Sequence, residues 1–205
     1  MAHSDSNHLL PPRQSAYRRR FSTETAVLLV YNDIIRAVDQ GYLVAMALLD
    51  LSCAFDTVDH VTLLSILSQR FSITDQALAW FQSYLTDRCQ VFTTLSTQSA
   101  PIALSSGIPQ GSGLGPTQFI AYAEDTTNIF PSHNIQYHLF ADDTQSYGHC
   151  SIPDIPDLVL RLQECIKDLA RSYASHRLQL NPSKSDFIWF GSRSSLSKIP
   201  PEFHH

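Results

Sequence analysis

Charge is scarce in this chain. Charged side chains are 16% of its 205 residues, and the balance is acidic, with a net charge of −5. A protein that grips nucleic acid by itself usually carries a basic balance, so tight independent binding of that kind is not expected. None of the four cysteines (Cys53, Cys89, Cys150, Cys165) falls in a CxxC pair or at regular spacing. That argues against a zinc knuckle or a disulfide framework and for free thiols in a reducing compartment. No apolar run reaches transmembrane length and no signal peptide is recognisable. No membrane association is expected, and the reading is intracellular, nucleus or cytoplasm. There is no internal repeat.

What the chain does have is material for a core. Hydrophobic residues are 43% and aromatics 10%, a globular composition with room for one domain or one and a half small ones. Residues 1–13 are polar, broken by Pro11-Pro12, and read as disordered. From Ser22 the spacing of Val27, Val30, Ile34 and Val38 predicts a helix that stops at Gly41. Residues 42–50, a continuous apolar run ending in Asp50, predict a strand buried on both faces. Helices are predicted near 61–68 and over 75–86, the latter with Ala77, Trp80, Phe81 and Tyr84 as core. Short strands follow at 90–95 and 100–104, then a Gly- and Pro-rich loop and a helix over 117–130. Residues 137–141 and 144–147 predict a hairpin with Asp142-Asp143 at its tip. An amphipathic helix over 156–175, a closing hairpin from 178 to 190 and a loose Ser-rich tail over 193–205 complete the chain. Antiparallel pairing with helices on one face makes this an α+β fold.

The chemistry concentrates in two acidic motifs 92 residues apart, Leu49-Asp50-Leu51-Ser52-Cys53-Ala54-Phe55-Asp56 and Phe140-Ala141-Asp142-Asp143. Each places carboxylates at the end of an apolar, strand-like run, and adjacent aspartates there need a counter-charge. A pair of Mg²⁺ ions (or Mn²⁺) about 3.5–4 Å apart supplies one, and such pairs drive nucleotidyl transfer. Mg²⁺ is satisfied by few protein ligands plus waters and substrate phosphates. Asp50 and Asp142 suffice on that count, with Asp143 in support and the Leu51 carbonyl as a further ligand. Taken singly, an aspartate at a strand end is more often a cap or turn residue. The glycine-rich loop between the motifs, Gly107-Ile108-Pro109-Gln110-Gly111-Ser112-Gly113-Leu114-Gly115-Pro116, is where a backbone must lie close to something. His60 and His138 lie near the carboxylates in sequence, but their spacing matches no metal-hydrolase motif.

These segments, in this order, resemble the reverse transcriptases of non-LTR retrotransposons (LINE elements, chicken-repeat and jockey-like groups). LDLSCAFDTVDH resembles their motif A, SSGIPQGSGLGP motif B, HLFADDTQSY motif C and LQLNPSKSDFIWFGS motif D. QSAYRRRFSTETAVLLVYNDI resembles the end of their fingers region. The resemblance runs from Gln14 to Ser192. It implies a partial reverse transcriptase domain over 14–192, the end of the fingers plus the palm, that makes DNA on an RNA template, with a DNA primer and dNTP as partners.

By position the resemblance implies Asp50, Asp142 and Asp143 as metal-binding residues. Phe55 would be the residue at the sugar edge that favours deoxynucleotides, and Gln110 and Gly111 the contacts to the incoming nucleotide. Lys184 would be the acid for the leaving pyrophosphate and Arg18 a triphosphate contact. The departures are Arg19-Arg20-Phe21 where the family has x-Gly-His, Gly113 where Val is usual and Tyr173 where Trp is common. Thr117 and Gln118 also enter a helix face that should be apolar, and either one buried without a partner costs about 1–3 kcal/mol. Little of the fingers, no thumb and no endonuclease segment is recognisable. The competing expectation is a catalytically inactive retrotransposon remnant, at most an interaction or nucleic-acid-binding module.

Overall fold

The computed structural model describes residues 9–203. Strand β1 (Leu43–Leu49) is the axis of the molecule. It pairs antiparallel with β5 (Asp143–Cys150) on one side and with β6 (Asp186–Phe190) on the other, and β4 (Gln136–Phe140) lies outside β5. Side chains alternate across a strand, and β1 uses both faces. Leu43, Ala45, Ala47 and Leu49 join the main core. Val44 and Met46 join a second, smaller one with Ile34, Ala37 and Tyr147. The unbroken apolar run follows from that double burial.

The main core is closed by helices α2 (His60–Gln69), α4 (Gly115–Ala123) and α6 (Ile155–Ser175). In α6 the buried residues Ile155, Leu158, Leu162, Cys165, Leu169 and Tyr173 recur at helical spacing. Helix α1 (Thr23–Asp39) covers the other face through Ala26, Ile34 and Ala37. Ser22 starts it with a capping box: its hydroxyl accepts from the Thr25 N–H while its own N–H donates to Thr25 Oγ1. Most of the helical mass thus packs on one face of the sheet, and α1 lies alone on the opposite one.

Several expected elements come out differently. The strands expected at 90–95 and 100–104 shrink to β2 (Cys89–Gln90) and β3 (Ile102–Ala103), exposed throughout, because no core lies under them to reward longer pairing. The helix expected over 117–130 starts at Gly115 and gives way after Ala123 to a 3₁₀ turn (Glu124–Asn128) and the short α5 (Ile129–Ser132). There the Thr126 and Thr127 hydroxyls bond the Ala123 and Glu124 carbonyls at 2.6 and 2.7 Å, competing with the helical ladder.

The closing hairpin does not form. Leu180 bridges Leu51, and β6 pairs with β1 instead, because β1 would otherwise present an open edge. On α3 (Asp75–Leu85) the expected core stripe is split: Phe81 and Tyr84 are half-buried and pack against the main core, while Ala77 and Trp80 are exposed. Trp80 is 52% exposed and stacks on Tyr84 at 5.4 Å, and Leu85 is the buried residue.

Both expected loose ends are packed where they are described; residues 1–8 and 204–205 lie outside the described residues. Leu10 is buried, and the Arg13 guanidinium donates at 2.7 Å to Asp33 Oδ2 and at 2.7 Å to Tyr147 Oη. After β6, Ser192 caps the short α7 (Arg193–Leu196), Ile199 is buried, and Trp189 Nε1–H donates to the Phe203 carbonyl at 2.8 Å.

Candidate active site

β1 delivers Asp50 to the end of the sheet. The chain stays extended there: Asn181 N–H donates to the Asp50 carbonyl and Ser52 N–H to the Gln179 carbonyl, each at 2.8 Å. Because carbonyls alternate along a strand, the Leu51 carbonyl points to the opposite edge, the side of β5. The β4–β5 turn is tight. Its last pair is Phe140 with Asp143, and Ala141 takes a left-handed backbone, φ +59°. Extending the β1–β5 register (Leu49 opposite Thr144) by one step sets Asp50 opposite Asp143. Directly opposed side chains have Cβ atoms about 4.5–5.5 Å apart.

The electrostatics report the same convergence. Burial, then the charges of Asp142 and Asp50, push the Asp143 carboxyl above its ordinary range, with Lys184 partly offsetting them. Lys184 Nζ lies 3.6 Å from Asp50 Oδ2. That Oδ2 is enclosed by protein and accepts no hydrogen bond. Buried carboxylate oxygens are ordinarily hydrogen-bonded; this one has the Lys184 ammonium beside it instead, a cationic neighbour at the end of the strand.

A cleft of about 560 Å³ opens here. Asp50, Leu51 and Asp142 line it together with Phe55, Gln110, Gly111 and Lys184. Asp143 opens instead onto an adjoining cavity of about 340 Å³, which shares Asp50 and Lys184 with the cleft. Arg18 lines neither. Its guanidinium donates to the Pro11 and Gln14 carbonyls at 3.1 and 3.0 Å and lies over the Phe21 ring. In this structure it braces the N-terminal segment.

The glycine-rich loop is tied to the first acidic motif. Gln110 Nε2 donates to Asp56 Oδ1 at 3.0 Å, Ser106 Oγ donates to the Asp56 carbonyl at 3.1 Å, and Ile108 N–H donates to the Phe55 carbonyl at 2.8 Å. Gly107 has φ +91°, and a Cβ there would sit 3.0 Å from the Asp56 carbonyl oxygen, so the approach needs glycine. Gly111, at φ +78°, turns in open space. Phe55 stacks on Phe119 with ring centroids 4.9 Å apart, one edge against the core and the other on the cleft.

Sequence reasoning assigned no role to Asp56 or Gln14. Asp56 stands six residues after Asp50, in the same motif. Gln14 opens the QSAYR run and bonds the Ala141 backbone. The two histidines near the carboxylates are engaged elsewhere: His60 Nε2–H donates to the Gly107 carbonyl at 2.8 Å, and His138 bonds Ser15 and Gln145.

Among the described residues, no three His, Cys, Asp or Glu side chains close around a single metal-sized point. The site is therefore not a preformed chelate of the structural kind. Two aspartates lining one open cleft instead suit Mg²⁺, which takes few protein ligands and completes its shell with water and phosphate.

An antiparallel sheet backed by helices, with aspartates at the adjoining ends of its two central strands, is a polymerase palm. Solved structures share the fold. Apo telomerase from Candida tropicalis, truncated from its C-terminal domain, superposes with a TM-score of 0.65 at 12% identity, over 89% of this chain and 37% of that one. Telomerase from Candida albicans, in complex with a TWJ fragment of telomeric RNA, gives 0.61 at 10% identity, over 82% and 30%.

The family model described as "Reverse transcriptase (RNA-dependent DNA polymerase)" matches residues 2–197, and the chain belongs to that family, as a reverse transcriptase domain of the non-LTR retrotransposon kind. It is 28% identical over 190 residues to the probable RNA-directed DNA polymerase from transposon BS of Drosophila melanogaster, covering 86% of this chain and 20% of that protein. It is 28% identical over 195 residues to the RNA-directed DNA polymerase from mobile element jockey of the same organism, covering 93% and 21%. The chain thus spans about a fifth of the length of these relatives.

Proposed function

We propose that this chain is the catalytic palm of an RNA-directed DNA polymerase, which adds deoxynucleotides to the 3′-hydroxyl of a DNA primer on an RNA template. The observation that carries the reading is one cleft lined at once by Asp50, Asp142, Lys184, Phe55 and Gln110.

In the reaction, the primer 3′-oxygen forms a bond to the α-phosphorus of the dNTP. The α–β phosphoanhydride bond breaks, pyrophosphate leaves and the hydroxyl proton passes to solvent. Asp50 and Asp142, with the Leu51 carbonyl, would hold two Mg²⁺ (or Mn²⁺) ions, which when bound lower the pKa of the attacking hydroxyl and neutralise the developing charge. Asp143, behind them, adds negative charge to the same locale. Lys184, 68% exposed beside Asp50, gives its proton to the departing pyrophosphate and regains one from solvent. Phe55, fixed against Phe119, sets a flat apolar wall at the sugar, which favours a ribose without its 2′-hydroxyl. Gln110, held by Asp56, and Gly111 meet the base pair. Four free cysteines suit a reducing compartment, inside the cell.

The test is primer extension on an RNA template with Mg²⁺ and dNTPs. The wild-type chain extends the primer, and Asp142→Ala/Asp143→Ala lowers the rate by on the order of 100-fold or more. No extension by the wild type would overturn the reading in favour of an inactive remnant, which the unpartnered buried Gln118 also fits.

A further inference from the structure

The segment around Gln14 lies along the outer edge of β4, joined to it by one parallel bridge. Ser15 N–H donates to the Leu139 carbonyl at 3.0 Å, Leu139 N–H donates to the Arg13 carbonyl at 2.9 Å, and Gln14 bridges Leu139. Gln14 is 2% exposed, and its amide is spent on one task. Oε1 accepts from its own chain at Ala16 N–H, 2.9 Å, and from the far turn at Ala141 N–H, 3.2 Å. Nε2 donates back to the Ala141 carbonyl at 3.4 Å. Ala141 is the left-handed residue of the turn, a strained backbone for a residue with a Cβ, and it immediately precedes Asp142.

The same segment also reaches the hairpin through its neighbour. Ser15 Oγ–H donates to His138 Nε2 at 2.9 Å, and His138 Nδ1–H donates to Gln145 Oε1 at 3.0 Å. Both strands that carry the aspartate turn are therefore held from a point well over a hundred residues upstream.

We infer that Gln14 is a positioning residue: by bonding both polar groups of Ala141 it fixes the turn that aims the Asp142 carboxylate into the cleft, and so sets the cleft's affinity for divalent cations. The metal half of this inference rests on the reading of the cleft as the polymerase site; the turn half does not.

The experiment compares the intact chain with Gln14→Asn and Gln14→Glu. Asn keeps the amide but is one methylene short, so it can serve Ala16 and not Ala141. Glu keeps the acceptor that both N–H groups use. Amide hydrogen exchange is read at Ala141 and at Ala45 in β1, and Mn²⁺ affinity is read by electron paramagnetic resonance without nucleotide. In Gln14→Asn, exchange at Ala141 rises about tenfold, the upper range for one net hydrogen bond, with Ala45 unchanged. Mn²⁺ binding weakens by a similar factor, and Gln14→Glu, which keeps the acceptor for the Ala141 N–H but loses the donor to its carbonyl, lowers protection at Ala141 less than Gln14→Asn does. Unchanged exchange at Ala141 in the Asn variant overturns the clamp. Faster exchange with unchanged Mn²⁺ affinity overturns the positioning role and leaves the cleft's assignment standing. A wild-type chain that binds no Mn²⁺ overturns the assignment of the cleft itself, and the metal half of the inference with it.

Discussion

Two side chains depart from what stability alone would select, and they do so for different reasons. Gln118 sits on the buried face of α4, 2% exposed, with neither its amide nitrogen nor its oxygen bonded. Each unmet group carries its desolvation cost. Gln118→Leu should therefore stabilise the protein by about 1–3 kcal/mol, raising the thermal midpoint by roughly 2–4 °C for each kcal/mol in a chain of this length; a lower midpoint would mean the amide is satisfied in solution. Asp143 is the functional case. Its carboxyl is raised by burial and by the charges of Asp142 and Asp50, so its ionised form is disfavoured in the folded chain. Asp143→Asn should stabilise the protein in metal-free buffer, by less than ~1 kcal/mol because the group is solvent-screened, and so raise its midpoint. Added Mg²⁺ should shrink that gain, since cations relieve the same repulsion in the wild type. A destabilised Asn variant would contradict the crowding of these charges.

At the scale of elements, His138 on β4 makes the hairpin sensitive to pH. Burial pushes the His138 pKa below its ordinary 6.5, against the opposing bond to Gln145. The imidazole is neutral in the fold and protonates more readily when unfolded. Its contribution is therefore complete above about pH 6.5 and is lost as pH falls through the lower folded value. Melts at about pH 7.5 and pH 5.5 should show a larger loss for the wild type than for His138→Gln; equal losses would place the pH dependence elsewhere.

The elements legible in the sequence were those whose burial has a period. The stripe of α6 gave its span within a residue, and the unbroken run of β1 announced a strand covered on both faces. That Asp50 and Asp142 line one cleft follows from the strand-end position of both acidic motifs, which the apolar runs before them mark in the sequence. What was not legible depends on partners far along the chain. The outward turn of Trp80, the pairing of β6 with β1 and the bonds of Arg13 to Asp33 and Tyr147 are tertiary choices with no local signature. Arg18, expected from the resemblance at the triphosphate, bonds backbone carbonyls of its own segment here.

At the scale of the whole molecule, one strand separates two cores and ends at the cleft. β1 is packed against α2, α4 and α6 on one face and against α1 on the other, so Asp50 leaves a strand fixed from both sides. Asp142 leaves a turn held by Gln14 at the sheet's outer edge. This rigidity is what a site needs if it is to gather like charges without an ion already in place. The central claim is that Asp50 and Asp142 meet around bound cations. Its most direct test is anomalous scattering from crystals grown with Mn²⁺, a dideoxy-terminated primer on an RNA template and a dNTP. The account predicts two peaks about 3.5–4 Å apart, one of them within ~2.5 Å of carboxylate oxygens from both Asp50 and Asp142. Peaks confined to other surfaces, with those two carboxylates sharing no ion, would contradict it.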